Sequence, residues 1–421
     1  MKFGISLTAL LSTTLLAATP ALSEQERPVD PAQYDPAQYD PAISQLRFAL
    51  DMADNAMGKL RDAVEKLERD PAKAAPAKPA NAVARTAGQV GKVSDGLDFE
   101  GSIGPLRQAK SAAPDVVGAF RFVCSTGHLA YNDPLVYPGQ KGASHLHQFF
   151  GNLNADENST YESLRASGES TCSNDLNRSA YWIPALLTGD GRVVQPQYIG
   201  VYYKRRPAND PWFNRFENTP ARIPRGLSYI FGWDAAKKNE KQYNPTKFSC
   251  DNKKGTMSEV LADCPAGSVF HARITAPGCW DGKSLSASDY RSHTAYSVRN
   301  RMTGQASCPA SHKYVLPAFS LIVRYNIEAG DKPSNWHYAS DHMAPEEFRE
   351  PGYTFHADWL GAWNDEALDT WQDNCIDKML NCSDGDLGNG TIMKRNKHYH
   401  NKVDTPHLVP VPPRPGKHAG H

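Results

Sequence analysis

The sequence predicts a mainly β protein: a single β-sandwich, jelly-roll-like domain with an N-terminal heptad helix and a Pro-rich tail. Three observations carry that prediction. Segments such as "VVQPQYIGVYYK", "SYIFGW", "SVFHARIT" and "KYVLPAFSLIVRYN" hold β-branched and aromatic runs bounded by Pro, Gly and Asn, the pattern of short strands. Long helical patterns are missing from the same region, "NDEALDTWQDNCIDKML" apart. All eight cysteines lie between Cys124 and Cys382, which places one disulfide-stapled unit there.

The elements follow in order. Met1-Lys2 and the apolar "FGISLTALLSTTLLAA" precede small residues in "TPALS", so residues 1–23 read as a signal peptide cleaved after Ser23. No other stretch approaches the length of a membrane span, and the expected location is secreted or periplasmic. Residues 24–42 form a leader in which "PAQYD" occurs twice, an extended rather than packed composition. Ile43, Leu46, Leu50, Ala53, Met57, Leu60, Val64 and Leu67 are then spaced 3, 4, 3, 4, 3, 4, 3. That a/d seam predicts an amphipathic helix over 43–69, docked on the domain or joining copies into a homo-oligomer. Asp70-Pro71 ends it. Residues 70–94 are Ala/Pro/Lys-rich and read as a linker. The β domain is expected over 95–410, followed by a tail, 411–421, whose terminal histidines are poor ligand candidates.

Lysine plus arginine and aspartate plus glutamate are equal at 46 each, so overall charge gives no reason to expect nucleic acid as a partner. None of the cysteines forms a CxxC knuckle, and the even count in an exported chain reads as up to four disulfides. Local pairing suggests Cys250–Cys264, Cys279–Cys308 and Cys375–Cys382, leaving Cys124–Cys172, although spacing leaves the connectivity open.

Eight blocks carry a family likeness: "NDPLVYPG", "SHLHQFFGN", "STCSNDLNRSAYWIPALL", "QPQYIGVYYK", "IPRGLSYIFGW", "CWDGKSLSASDYRSHTAYS", "CPASHKYVLPAFSLIVRY" and "FHADWLGAW". Their order, from about Phe120 to Cys375, resembles the domain of unknown function DUF1996, familiar in fungal extracellular proteins, sometimes beside WSC carbohydrate-binding modules. The resemblance implies secretion, one β-rich domain, and a wall or matrix polysaccharide as partner. It implies no reaction, and no WSC-like module is visible in this chain.

Within those blocks three segments each bring a histidine close to another polar group. His145 and His147 stand at i and i+2 in "SHLHQFFGN", where a strand would set them on one face with Cβ atoms roughly 7 Å apart. "CWDGKSLSASDYRSH" contributes Trp280, Asp281, Lys283, Arg291 and His293, with Tyr296 just beyond. "FHADW" contributes His356, Asp358 and Trp359. Three chemistries fit these residue types. A divalent metal would take His145, His147 and either His293 or His356, since a His-x-His strand with a third distant His is a zinc-site pattern. The α-type carbonic anhydrase arrangement does not fit, because nothing follows His147 until His271. A copper brace does not fit either, because cleavage after Ser23 leaves Glu24 first.

A polysaccharide hydrolase or lyase is the second chemistry. Its catalytic groups would come from His145, His147, Asp281, His293, His356 and Asp358, with Trp280, Lys283, Arg291, Tyr296 and Trp359 against the sugar. The third is a glycan-binding module without turnover. Gly-x-Ser-x-Gly elbows and phosphate loops are missing, which removes serine hydrolysis and nucleotide binding.

Overall fold

The computed structural model describes residues 85–86, 88, 90–106, 117–242, 244–399 and 406–415. The signal segment, the leader, the heptad helix over 43–69, most of the linker and residues 416–421 lie outside them. Among the described residues no helix is long and apolar enough to cross a membrane. Strand pairing begins inside the expected linker, where Arg85–Thr86 pairs with Ser284–Ser286.

Eleven strands make the main sheet: β1 (Gly118–Ala130), β2 (His147–Gly151), β3 (Ala180–Pro184), β4 (Tyr198–Arg205), β5 (Ser228–Gly232), β6 (Thr246–Cys250), β7 (Lys253–Gly255), β8 (Val269–Thr275), β9 (Ala318–Asn326), β10 (His356–Leu360) and β11 (Asn381–Cys382). Their order is β5-β10-β3-β2-β1-β4-β9-β8-β6-β7, with β11 beside β1. Only β11 pairs parallel.

This path folds into two layers because β1 serves both. Residues Gly118–Ser125 pair with β4, and the register then shifts between Thr126 and Leu129 where the strand joins β2. Such an irregularity bends a strand and increases its twist. Gly127 sits at the bend, where a Cβ would stand 2.8 Å from the Phe149 carbonyl oxygen, so any side chain would collide with backbone. One sheet is then β1-β4-β9-β8-β6-β7 and the other is β1-β2-β3-β10-β5. Aromatic rings join them: Phe319 of β9 lies 5.1 Å from Trp359, 5.6 Å from Phe231 and 6.0 Å from Tyr229. Phe122 lies 6.5 Å from Tyr181. Rings at these separations fill the space between two packed sheets, and the β-sandwich expectation holds.

The outer faces differ. In β4 and β8, and in β9 from Leu321 onward, burial alternates residue by residue, as expected when one face meets water. In β2, β3 and β10 every residue is buried, because loops cover the outer face of the second sheet. The cysteines pair as Cys124–Cys172, Cys250–Cys264, Cys279–Cys308 and Cys375–Cys382, matching the local pairing suggested by spacing. The proline-rich end is also ordered as far as it is described: Leu408–Pro410 pairs with Arg192–Val194.

Candidate metal centre

Alternation along the second sheet sorts its side chains. Tyr229, Phe231, Tyr181 and Trp359 point into the sandwich, so Trp182, Phe149, His147, His356 and Asp358 occupy the other face. On that face Phe149, Trp182, Asp358 and Ile230 stand opposite one another on successive strands. One step along, His147 pairs with Pro184. The same register continued sets Pro184 between His147 and His356. A proline ring is short, and the imidazoles lean across it to 6.0 Å between centroids.

His145 stands two residues before β2 begins, in the loop entering it, rather than in the strand the His-x-His spacing suggested. The loop lets its ring fold over the other two, 4.1 Å from His147 and 5.1 Å from His356. Taking one ligand atom from each, the three side chains offer donors all within 4.8 Å of one another.

The hydrogen bonds settle the tautomers. His147 Nδ1 lies 2.9 Å from the Asn132 carbonyl, and His356 Nδ1 lies 2.8 Å from the Thr354 carbonyl. A carbonyl only accepts, so each Nδ1 carries the proton and donates it, leaving Nε2 with a free lone pair. The Nε2 atoms of His145 and His147 are buried without a hydrogen-bond partner. Burial, with the neighbouring His356 as a smaller cause, pushes His147 down to about 3. Burial and then the Arg291 guanidinium push His356 down to about 4, against the pull of its bond to Thr354. His145 is held well below the ordinary imidazole value, by burial first and then by His147, His356, His342 and Arg414. All three imidazoles are neutral at physiological pH.

Beside them lies an acid pair. Asp358 is buried, neither oxygen has a hydrogen-bond partner, and Oδ2 stands 3.9 Å from His356 Nε2. Burial and the Asp133 carboxyl raise Asp358 well above the usual carboxylate value, against the Arg291 charge. Asp133 is itself raised to about 6 by burial, although it accepts from the backbone N–H groups of Val136 and Leu135 at 2.9 and 3.0 Å. Two buried carboxyls this strongly coupled do not both ionise.

The remaining expected residues go elsewhere. His293 spends both nitrogens on backbone, Nε2 donating to the Ser228 carbonyl at 3.0 Å and Nδ1 accepting from Ala287 N–H at 3.2 Å, and it is not brought into the triad. Asp281 accepts from the N–H groups of Lys283 and Ser284 and so shapes its own turn. Lys283 is exposed on that turn. Trp280 is 6% exposed and donates its indole N–H to Ser284. Trp359 is 1% exposed and faces the core, on the opposite side of β10 from His356 and Asp358. Neither indole is a surface platform. Arg291 donates to the Gly232 and Trp233 carbonyls while its charge reaches Asp358, and the Tyr296 hydroxyl donates to Thr275.

Sequence reading missed Asn132, Asp133, His342 and Arg414. "NDPLVYPG" was visible as a block, but nothing in it signals that its aspartate meets "FHADW". Arg414 donates to the carbonyls of Gly142 and Ser144 at 3.1 and 2.5 Å, tying the tail to the loop that carries His145.

No curated protein and no solved structure matches the chain. A family model described as "Domain of unknown function (DUF1996)" matches residues 133–363, an interval that begins at Asp133 and contains all three histidines and Asp358.

Proposed function

The chain belongs to the DUF1996 family, and from that premise we propose that its domain binds one divalent transition-metal ion through His145, His147 and His356. The observation that carries this is the set of neutral imidazoles with donors within 4.8 Å, two of whose Nε2 atoms are buried and unpartnered. A buried polar atom without a partner costs about 1–3 kcal/mol, and an ion in their midst removes that cost. Typical metal–imidazole bonds of about 2.0–2.1 Å require the rings to close by something on the order of an ångström. Imidazole donors suit zinc, copper, iron or nickel, not magnesium or calcium.

Three neutral ligands leave a fourth position open, as in catalytic rather than structural zinc sites, with the Asp133–Asp358 pair alongside as a proton store. That supports hydrolase or lyase chemistry over simple storage. Four disulfides support an exported, oxidising setting. A polysaccharide partner draws on the family resemblance; the triad lends it nothing, because Trp280 and Trp359 are buried.

Metal analysis of the full chain after dialysis against zinc or copper, with titration calorimetry, tests the proposal. One ion per chain is expected, lost in His147→Ala and in His356→Ala. Absence of uptake at tens of micromolar metal, or equal uptake by both variants, overturns it.

A further inference from the structure

Among the described residues the outer face of the first sheet is partly to fully exposed, and its chemistry is one-sided. Alternation brings Arg121 of β1, Tyr198, Tyr202 and Lys204 of β4, Arg324 of β9, His271 and Arg273 of β8 and Lys247 of β6 to the same face. Lys204, Arg273 and Lys247 are exposed, and Arg121 and Arg324 are partly so. Gly200 and Ile322 lie between them as an apolar floor, paired across β4 and β9.

Those five strands contain no aspartate or glutamate at all. The chain as a whole has as many acids as bases, so the imbalance belongs to this face. None of the five cations makes an ion pair among the described residues. Lys247 and Arg273 even stand directly opposite each other on paired strands, a like-charge placement that destabilises a sheet. Folding alone gives no reason for it, and an anionic partner would remove the penalty.

We propose that this face docks a carboxylated polysaccharide, a chain bearing acidic sugars, laid flat across β1, β4, β9, β8 and β6. Charge complementarity names the partner's sign, and the rings favour a sugar chain over single-stranded nucleic acid. The Arg121 guanidinium and Lys204 ammonium lie over the Tyr202 ring at 4.8 and 4.3 Å, and Arg324 lies over Tyr198 at 5.9 Å. The tyrosines are therefore rests that hold cations in place, not free platforms on which bases would stack. Four disulfides are consistent with an exported setting, in which carboxylated sugars are a common acidic polymer. A flat array of separate cations suits a polymer with repeated carboxylates, because several weak contacts made at once give avidity. The inference stands independently of the metal centre, which lies on the other sheet.

The test is binding of the full chain to polygalacturonate, with neutral dextran and an oligothymidylate of equal charge as comparisons. Calorimetry and affinity electrophoresis at two salt concentrations supply the readout. Polygalacturonate should bind, weaken steeply as salt rises, and bind at least about tenfold more tightly than either comparison. The triple variant Lys247→Gln, Arg273→Gln, Arg324→Gln should melt within a few degrees of the parent, since all three positions lie on a solvent face. It should lose at least about tenfold in affinity, because each removed charge is one contact fewer. No binding at low salt, equal or tighter binding of oligothymidylate, or unchanged affinity in the triple variant would overturn the proposal. Should the triple variant unfold, the single variant Arg273→Gln decides: parent-like affinity counts against the face, and a clear loss supports it.

Discussion

Asp358 and His356 share one face of one strand, with Asp358 Oδ2 3.9 Å from His356 Nε2 and no hydrogen bond on either carboxylate oxygen. A group held this way adds little to folding and is free to act on a neighbour. Asp358→Asn keeps the shape, and burial beside the Asp133 carboxyl already favours the protonated form of Asp358. Its expected cost in urea denaturation is below about 1.5 kcal/mol. Metal affinity by competition titration should fall by roughly 10- to 100-fold, the usual result of removing a group that orients a ligand. Unchanged affinity would exclude Asp358 from the centre.

His293 and His147 should separate cleanly. Replacing His293 by alanine leaves the Ser228 carbonyl and the Ala287 N–H without partners, a loss of about 1–3 kcal/mol for each buried group, with metal uptake retained. His147→Ala should abolish uptake instead. If His293→Ala is the variant that loses the metal, the ligand set is wrong.

The histidines also set a pH dependence. His147 titrates near 3, His293 and His356 near 4, and His145 well below the ordinary value, while unfolded imidazoles titrate near 6.5. Between about pH 4 and 6.5 the unfolded chain therefore binds more protons. Stability falls as pH drops, by up to about 1.4 kcal/mol per histidine per pH unit. Asp133, near 6, and Asp358 and Asp341, both raised by burial, act in the opposite sense, because the folded chain holds their protons over part of that range. His128 and His271 are lowered as well, so six imidazoles against three carboxyls leave a net loss; the unfolding free energy at pH 5 should lie below that at pH 7, and His147→Gln should narrow the gap. Equal stability at the two pH values would contradict this.

The four disulfides should differ in weight. Cys124–Cys172 spans 48 residues and Cys375–Cys382 only 7. Loop-closure entropy then gives about 4 kcal/mol for the first and about 2 kcal/mol for the second. Denaturant unfolding of the paired Cys→Ser variants should follow that order. Thiol labelling of the denatured parent should find no free cysteine.

Much of the fold was legible because it depends on local rules. "FSLIVRY" and "FHARI" alternate buried and solvent-facing residues at a period of two, and β9 and β8 are those segments. Cysteine spacing suggested the four pairs for a similar reason: short loops close most readily. His145, His147, His356 and Asp358 were visible as histidines placed beside polar groups within short motifs.

Tertiary structure decided which of those motifs meet. Strand spacing put His356 and Trp359 in one short segment, but only the packing of Trp359 against Phe319 shows which of them faces the core. His293 looked equivalent to His356 until β5 placed the Ser228 carbonyl against its ring. The Asp133 carboxyl acts electrostatically on Asp358 across more than two hundred positions of chain, and the order of β2, β3 and β10 sets His147 and His356 on one face. Periodicity along a chain reports which face a side chain takes. It carries no term for which strand lies next, and that order, set by burial of the whole sheet, brings three histidines to one point.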